Sequence, residues 1–209
     1  MKMKRLVIVG AGGFGRELMS WAGHAQGASW DQLAWVDDNP QALAGFSYDL
    51  PWLGTLHAFR PDAGDLCIVA AGEPSTKRQM VASLRASGAR FATLVHPSAV
   101  VARSATLAEG CVICPLAFIS ADAQLAAFVT VNALSSVGHD VVLGAFSTLS
   151  AHVDLTGGVT VGESAFFGTG AKVVPGVRIG SHARIGAGST VMRSVTDAAT
   201  VYTTPAKKL

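Results

Sequence analysis

The sequence predicts a two-part protein: a small Rossmann-like parallel α/β unit over residues 1–92, followed by a parallel β-helix over residues 93–209. Three observations carry this. A large apolar residue recurs at every sixth position from Val95 to Val191, without a slip in register. A second row, two residues ahead of the first, is always small or β-branched. The residues before the array lack that period and alternate strand-like apolar runs with helical stretches.

Counting in sixes from Val95 through Val101, Leu107 and Ile113 to Ile179, Ile185 and Val191, each position is Ile, Leu, Val or Phe. The companion row runs from Thr93 and Ala99 to Ala183 and Ser189. A period of six fits neither a helix at 3.6 residues per turn nor a half-buried strand at two. It fits a short strand plus a corner. Three such units close a triangular coil of about 18 residues, and stacked coils set each large residue over the last. Small residues then fit where walls converge. Glycine often follows the large residue, as at Gly138, Gly144, Gly162, Gly168, Gly180 and Gly186, and is expected to take the corner backbone. The array predicts about five to six coils. Its unbroken register leaves no place for a long inserted loop.

In the first part, Leu6–Val9 reads as a buried strand. The turn Gly10-Ala11-Gly12-Gly13-Phe14-Gly15 follows, then a helix from Arg16 to His24. A second strand, Leu33–Val36, ends at Asp37-Asp38. A third, Leu66–Ala70, leads through Gly72-Glu73-Pro74 into a helix over Ser75–Ser87, and Arg90–Val95 reads as a strand entering the repeat. Gly10, Gly12 and Gly15 satisfy G-x-G-x-x-G between a strand and a helix, with acids about 20 residues on. Glycines let backbone N–H groups approach a ligand, and a helix N-terminus favours an anion. NAD is the first reading on fold grounds. The unit is about half a full dinucleotide fold, so the nucleotide part of a sugar donor or acceptor is preferred to NAD, and a tight turn with no ligand is the remaining alternative.

Half the residues are hydrophobic and 14% are charged, a sparse supply for a surface, which an oligomer that hides part of it would explain. A net charge of +2 gives no reason to expect nucleic acid or an anionic membrane as partner. No window approaches the roughly 18 apolar residues of a membrane-spanning helix. The basic start and the apolar run Leu6–Val9 superficially resemble a leader, but the run ends at once in glycines, so the cytoplasm is the expected compartment. Three cysteines fit reduced thiols there. Cys111 and Cys114 form a CxxC whose members both fall on packing positions of one hexad, so no metal is expected.

His139 lies two residues past Val137, at a corner, so its ring should face outward. A neutral imidazole is a suitable base near pH 7. Asp140, adjacent in a tight corner, could hold one ring nitrogen. Gly157, one full coil further along the chain, could offer a backbone N–H to an oxyanion. By spacing alone a solvated corner histidine is the favoured reading. His152 and His182 occupy other corners without such context, and His96 precedes Pro97 where a structural role is expected. Glu73 and Arg78 either line the end of the third strand or begin a solvated helix.

A short unit opening at VIVGAGGFGRE, followed by hexads and ending in Pro205-Ala206-Lys207, resembles one family across nearly the whole chain. It is the hexapeptide-repeat group of sialic acid O-acetyltransferases and N-acetyltransferases of nucleotide-linked 4-amino sugars, of the bacillosamine and perosamine types. The most specific segment runs from Val131-Asn132 through Val137-Gly138-His139-Asp140 to Leu143-Gly144. The resemblance implies a left-handed coil and acetyl-CoA as co-substrate. It makes His139 the catalytic base, Asp140 the acid that raises its basicity, and Asn132 a sugar contact. It implies that the first unit holds a nucleotide-linked sugar through Gly10, Gly12, Gly13, Phe14, Asp37, Asp38 and Gly72. It also implies a homotrimer in which acetyl-CoA lies between subunits, near Thr148, Gly157, Thr169 and Ala187. Phe14 stands where many members have His, and Thr148 where the nucleotide-sugar members have a second His. Whether the acceptor is an amine, or a hydroxyl as in sialic acid, stays open. So do a γ-type carbonic anhydrase, which needs three His on zinc, and a non-catalytic nucleotide-sugar sensor.

Overall fold

A computed structural model describes residues 4–204; the Pro205-Ala206-Lys207 tail lies outside the described residues. The chain divides into two units, Met1–Pro97 and Ser98–Leu209.

The first unit is built from β1 (Arg5–Val9), α1 (Gly13–Trp21), a 3-10 turn (Ala22–His24), β2 (Gln32–Val36), β3 (Asp65–Val69) and α2 (Pro74–Ala86). The sheet order is β2-β1-β3 and all pairs are parallel. Leu6–Val9 of the central strand are buried, as expected of a parallel strand covered on both faces. Helix α1 begins ahead of the Arg16 start read from the sequence. Gly12 is its extended N-cap, so Gly13, Phe14 and Gly15 already lie in the first turn. Gly15 is fixed there by packing: a Cβ on it would sit 2.0 Å from the Gly10 carbonyl oxygen. Arg90–Val95 is not one strand. Cys67 N–H donates to Arg90 O and Ala92 N–H donates to Cys67 O, so the chain touches β3 at Phe91 alone before the short strand Leu94–Val95.

The amino end of this sheet is locked by an ion pair. Asp65 is 1% exposed and takes both Nε (2.8 Å) and Nη2 (2.9 Å) of Arg5, with Asp62 N–H on the same carboxylate. Burial opposes the charge on Asp65, but the bonds from Arg5 and Asp62 and the charges of Arg5 and Arg90 outweigh it. Its carboxyl is held below the usual range.

The second unit is a parallel β-helix of very short strands. One face carries Val112–Ile113, Thr130–Val131, Thr148–Leu149, Phe166–Phe167 and Arg184–Ile185. The second carries Val100–Val101 through Ser136–Val137 and Asp154–Leu155 to Thr190–Val191, and the third runs from Thr106–Leu107 to Arg178–Ile179. Partners within a face are one full coil apart in the chain, as in Ser136↔Asp154 and Leu143↔Val161. From Ile113 to Val191 every large residue of the six-residue row is buried, and the companion row is buried over the same span. Beyond Val191 the register shortens: Ile179 pairs Val195 and Ile185 pairs Val201, a smaller step than in the coils before. Two companion-row serines also tie coils together. Ser135 Oγ donates to Ser150 O and accepts from Val153 N–H, and Ser147 repeats this with Gly162 and Ala165.

The corners correct the reading of the glycines. The left-handed backbone falls later in the hexad than the position directly after the large residue: Asp122, Leu134, Asp140, His152 and His182 all have φ near +60°, as do Gly158, Gly170 and Gly188. The glycines directly after the large residues answer to close packing instead. A Cβ on Gly138 would lie 2.8 Å from Gly157 N, and one on Gly144 would lie 2.4 Å from the Gly162 carbonyl carbon. They let successive coils touch backbone to backbone.

Candidate active site

His139 and Asp140 occupy the corner between the second and third faces. Val137 points inward and Gly138 lets the next coil press close. His139 then turns outward, and Asp140 takes the left-handed conformation at φ 59° that short polar side chains tolerate. Asp140 Oδ2 lies 2.7 Å from His139 Nδ1. A carboxylate can only accept, so Nδ1 carries the proton and Nε2 presents its lone pair. His139 and Asp140 side chains are 68% and 65% exposed, so a substrate can reach them.

The ring rests on Gly157, one coil on. A Cβ at that position would lie 2.4 Å from Nε2 and 2.5 Å from Cε1. Ladder bonds fix this corner: Asp140 N–H donates to Ala121 O, Gly158 N–H to His139 O and Gly176 N–H to Gly157 O. The N–H of Gly157 itself is not part of that ladder. A histidine base with an anchored Nδ1, set over a glycine of the next coil, is an arrangement suited to taking a proton from a nucleophile.

The remaining β-helix residues singled out from the sequence lie elsewhere in a single chain. Thr169 and Ala187 follow Phe167 and Ile185 at the corner between the first and second faces, where Gly188 N–H donates to Thr169 O. Thr148 is buried, on the first face. Asn132 turns its carboxamide into the ladder: Nδ2 donates to Leu149 O at 3.0 Å, and Oδ1 takes a long contact from Cys114 Sγ. Cys111 and Cys114 are buried thiols, and Cys111 Sγ donates to Ala126 O. His152 is exposed, His182 Nε2 lies 3.6 Å from Glu163 Oε1, and His96 is half-buried with its ring edge-on to Trp21 at 5.1 Å. Burial lowers the pKa of His96. Among the described residues, no group of three or more His, Cys, Asp or Glu is placed to hold a metal ion.

In the first unit, the residues read as nucleotide-binding gather at the carboxyl ends of the parallel strands. Gly10–Phe14 follow β1, Asp37 and Asp38 follow β2, and Gly72 follows β3. Such edges are where open α/β sheets bind ligands. Gly10 has φ +101°, and Gly12 and Gly13 have open space where a side chain would be. Helix α1 has no side-chain cap and no acid in its first turn. The two acids differ in what they do. Asp37 Oδ2 accepts Ala11 N–H at 2.7 Å and Oδ1 accepts Asn39 N–H at 2.9 Å, so this carboxylate clasps the turn to the end of β2. Asp38 is exposed and receives Leu56 N–H on Oδ1. Two neighbours here carry no signal in the sequence. Arg16 sets its guanidinium 4.1 Å from the Phe46 ring centroid, and Trp52 donates its indole N–H to Asp37 O. Neither falls in a periodic pattern, and only the fold brings Phe46 and Trp52 to this edge.

Known proteins share both units. Residues 5–84 match the family described as the PglD N-terminal domain, and residues 158–193 match the bacterial transferase hexapeptide (six repeats). A UDP-N-acetylbacillosamine N-acetyltransferase of Bacillus subtilis is 35% identical over 118 residues, covering 53% of this chain and 51% of that protein. The aligned stretch is thus about half the length of this curated relative. The acetyltransferase domain of PglB from Neisseria gonorrhoeae superposes with a TM-score of 0.87 at 31% identity, over 99% of this chain and 100% of that one. That domain has also been solved with acetyl coenzyme A. PerB from Caulobacter crescentus, solved with CoA and GDP-perosamine, gives a TM-score of 0.84 at 33% identity, over 97% and 95% of the two chains. The whole-chain agreement makes the coil a left-handed β-helix of hexapeptide repeats. This chain belongs to the hexapeptide-repeat family of acetyl-CoA-dependent sugar acetyltransferases, which holds the sialic acid O-acetyltransferases and the N-acetyltransferases of nucleotide-linked 4-amino sugars.

Proposed function

We propose that this chain transfers the acetyl group of acetyl-CoA to the amine of a nucleotide-linked amino sugar, with His139 as general base. The observation that carries this is the His139 corner: Nδ1 on Asp140 at 2.7 Å, and Nε2 open above Gly157. The sugar amine attacks the thioester carbonyl as Nε2 takes its proton. The tetrahedral oxyanion is met by the Gly157 N–H. The C–S bond then breaks and the imidazolium returns the proton to the departing thiolate. Asp140 keeps the ring in the right tautomer and stabilises the imidazolium. A base of this kind contributes about 10²–10⁴ in rate.

The nucleotide-sugar acceptor follows from the relatives and from the first unit. The PerB structure holds GDP-perosamine, and the curated relative is named for a UDP-linked sugar. In this chain the turn Gly10, Gly12, Gly13 and Phe14, with Asp37, Asp38 and Gly72, is the proposed nucleotide edge. Asn132 is the proposed sugar contact, and Thr169 and Ala187 join Gly157 as the proposed acetyl-CoA contacts; Thr148, buried on the first face, is not accessible to it.

The proposed assembly is a cytoplasmic homotrimer with acetyl-CoA between subunits. Its support is an apolar strip at the corner of the first and second faces. Leu116 and Leu134 are one coil apart on that corner, Val100 pairs with Phe118 beside it, and all four are exposed. The test of the function is thiol release from acetyl-CoA with UDP-, dTDP- and GDP-linked 4-amino sugars and with free sialic acid. Release with a nucleotide-linked amine is the expected result. Release with sialic acid alone would make this an O-acetyltransferase, and none with any acceptor would sink the catalytic reading.

A further inference from the structure

We propose that the indole of Trp52 is the platform on which the base of the nucleotide substrate stacks. This rests on the nucleotide-sugar reading above and adds a binding residue to it. Trp52 is 43% exposed, yet it is held on three sides. Trp35 N–H donates to Pro51 O at 3.0 Å and Leu53 N–H donates to Trp35 O at 2.9 Å, which pins the backbone along the outer edge of β2. Its indole N–H donates to Asp37 O at 3.2 Å. The buried Trp35 ring lies behind it, with centroids 6.3 Å apart. An aromatic ring whose only polar atom is already bonded, and which is fixed yet open, loses little entropy when a planar partner arrives.

Its position suits a base. Asp37 joins Trp52 to the glycine turn, because the carbonyl that takes the indole N–H belongs to the residue whose carboxylate takes Ala11 N–H. Phosphates at the turn therefore leave the nucleoside on the side of Trp52 and Asp38. Phe46, also exposed in this unit, is already faced by the Arg16 guanidinium at 4.1 Å. Stacking tolerates any base, so Trp52 supplies affinity and leaves the choice of base to polar neighbours.

The test is calorimetric titration of the full chain with UDP, dTDP and GDP, and with inorganic pyrophosphate as a probe without a base. The wild type is compared with Trp52→Phe and Trp52→Leu. Both variants lose the Asp37 bond, and only Phe keeps a ring. Phe is expected to bind the best nucleotide within about threefold of wild type and Leu about tenfold more weakly, with pyrophosphate binding equal in all three. Nucleotide should quench tryptophan emission in the wild type, and that quench should vanish in Trp52→Phe while binding persists. Equal nucleotide affinities for the Phe and Leu variants, or a quench retained in Trp52→Phe, would overturn the stacking role and leave nucleotide binding standing. A wild type that binds none of the three nucleotides would overturn the underlying reading as well.

Discussion

The two units bring distant residues together by opposite means. In the α/β unit, Gly10, Asp37 and Gly72 share the carboxyl end of the sheet because parallel strands end there, Trp52 lies along the outer edge of β2, and their spacing in sequence carries no rule. In the β-helix, neighbours on a corner are always one coil apart in the chain, so His139 meets Gly157 by register alone. Glycine shows the same contrast. Gly12 and Gly13 face open space, where a ligand can come close to the backbone. Gly138, Gly144 and Gly157 face protein, and what they accommodate is the next coil or the His139 ring. Open space at Gly12 and Gly13 leaves room for a ligand, and crowding at Gly138, Gly144 and Gly157 places a neighbour.

Substitutions can break this contrast. The largest effect is expected from His139→Ala, which should lower turnover about a thousandfold, with an unchanged melting curve because the side chain is exposed. Near-normal thiol release would remove His139 from the chemistry. Next is Asp65→Asn in the α/β unit, which leaves Arg5 without its buried partner and should cost about 3 kcal/mol in denaturant unfolding. The folded carboxyl of Asp65 lies below its unfolded value. The wild type therefore keeps this contribution above the ordinary carboxylate pKa, near pH 4, and loses it as pH falls through the lower folded value. Asp65→Asn should show a flatter acid limb, and an unchanged limb would mean the pair contributes nothing.

A smaller effect is expected from Gly157→Ala. The new Cβ would displace the His139 ring, so kcat should fall about thirtyfold, roughly 2 kcal/mol of barrier. Stability should change little, because the exposed ring can swing away. A stable variant with full activity would show that the seat on Gly157 is irrelevant. Gly12→Ala should be the mildest for the fold, within about 0.5 kcal/mol of wild type, because nothing lies within 4 Å of the new methyl. Its effect should appear as weaker nucleotide binding in titration. Unaltered binding would argue that the turn is structural only.

Much of this was legible in the sequence because the β-helix repeats a local rule. Each large residue of the row from Ile113 to Val191 is buried as its position dictates, and the His139 corner follows from counting two past Val137. The glycine-rich turn was equally plain, since strand, turn and helix are contiguous. Other features were not legible. Gly138 reads as a corner glycine until the coil above is seen pressing on it, and the corner proves to lie at Asp140. Asp37 and Asp38 look alike in sequence, but one clasps the turn and the other is exposed. Arg90–Val95 has strand composition, yet it meets β3 only at Phe91.

The sequence by itself determined the coil, its register and the outward corner for His139. A six-residue hydrophobic period has one way to bury its large side chains, and that way is local and additive. Only the tertiary structure decided that Asp140 turns back onto Nδ1, that Nε2 and Cε1 are the ring atoms turned to Gly157, and that Trp52 stands open beside Asp37. Those depend on a left-handed corner, on close contact between coils and on a loop laid along a sheet edge. The period fixes which residues are neighbours, and it does not fix how their side chains turn.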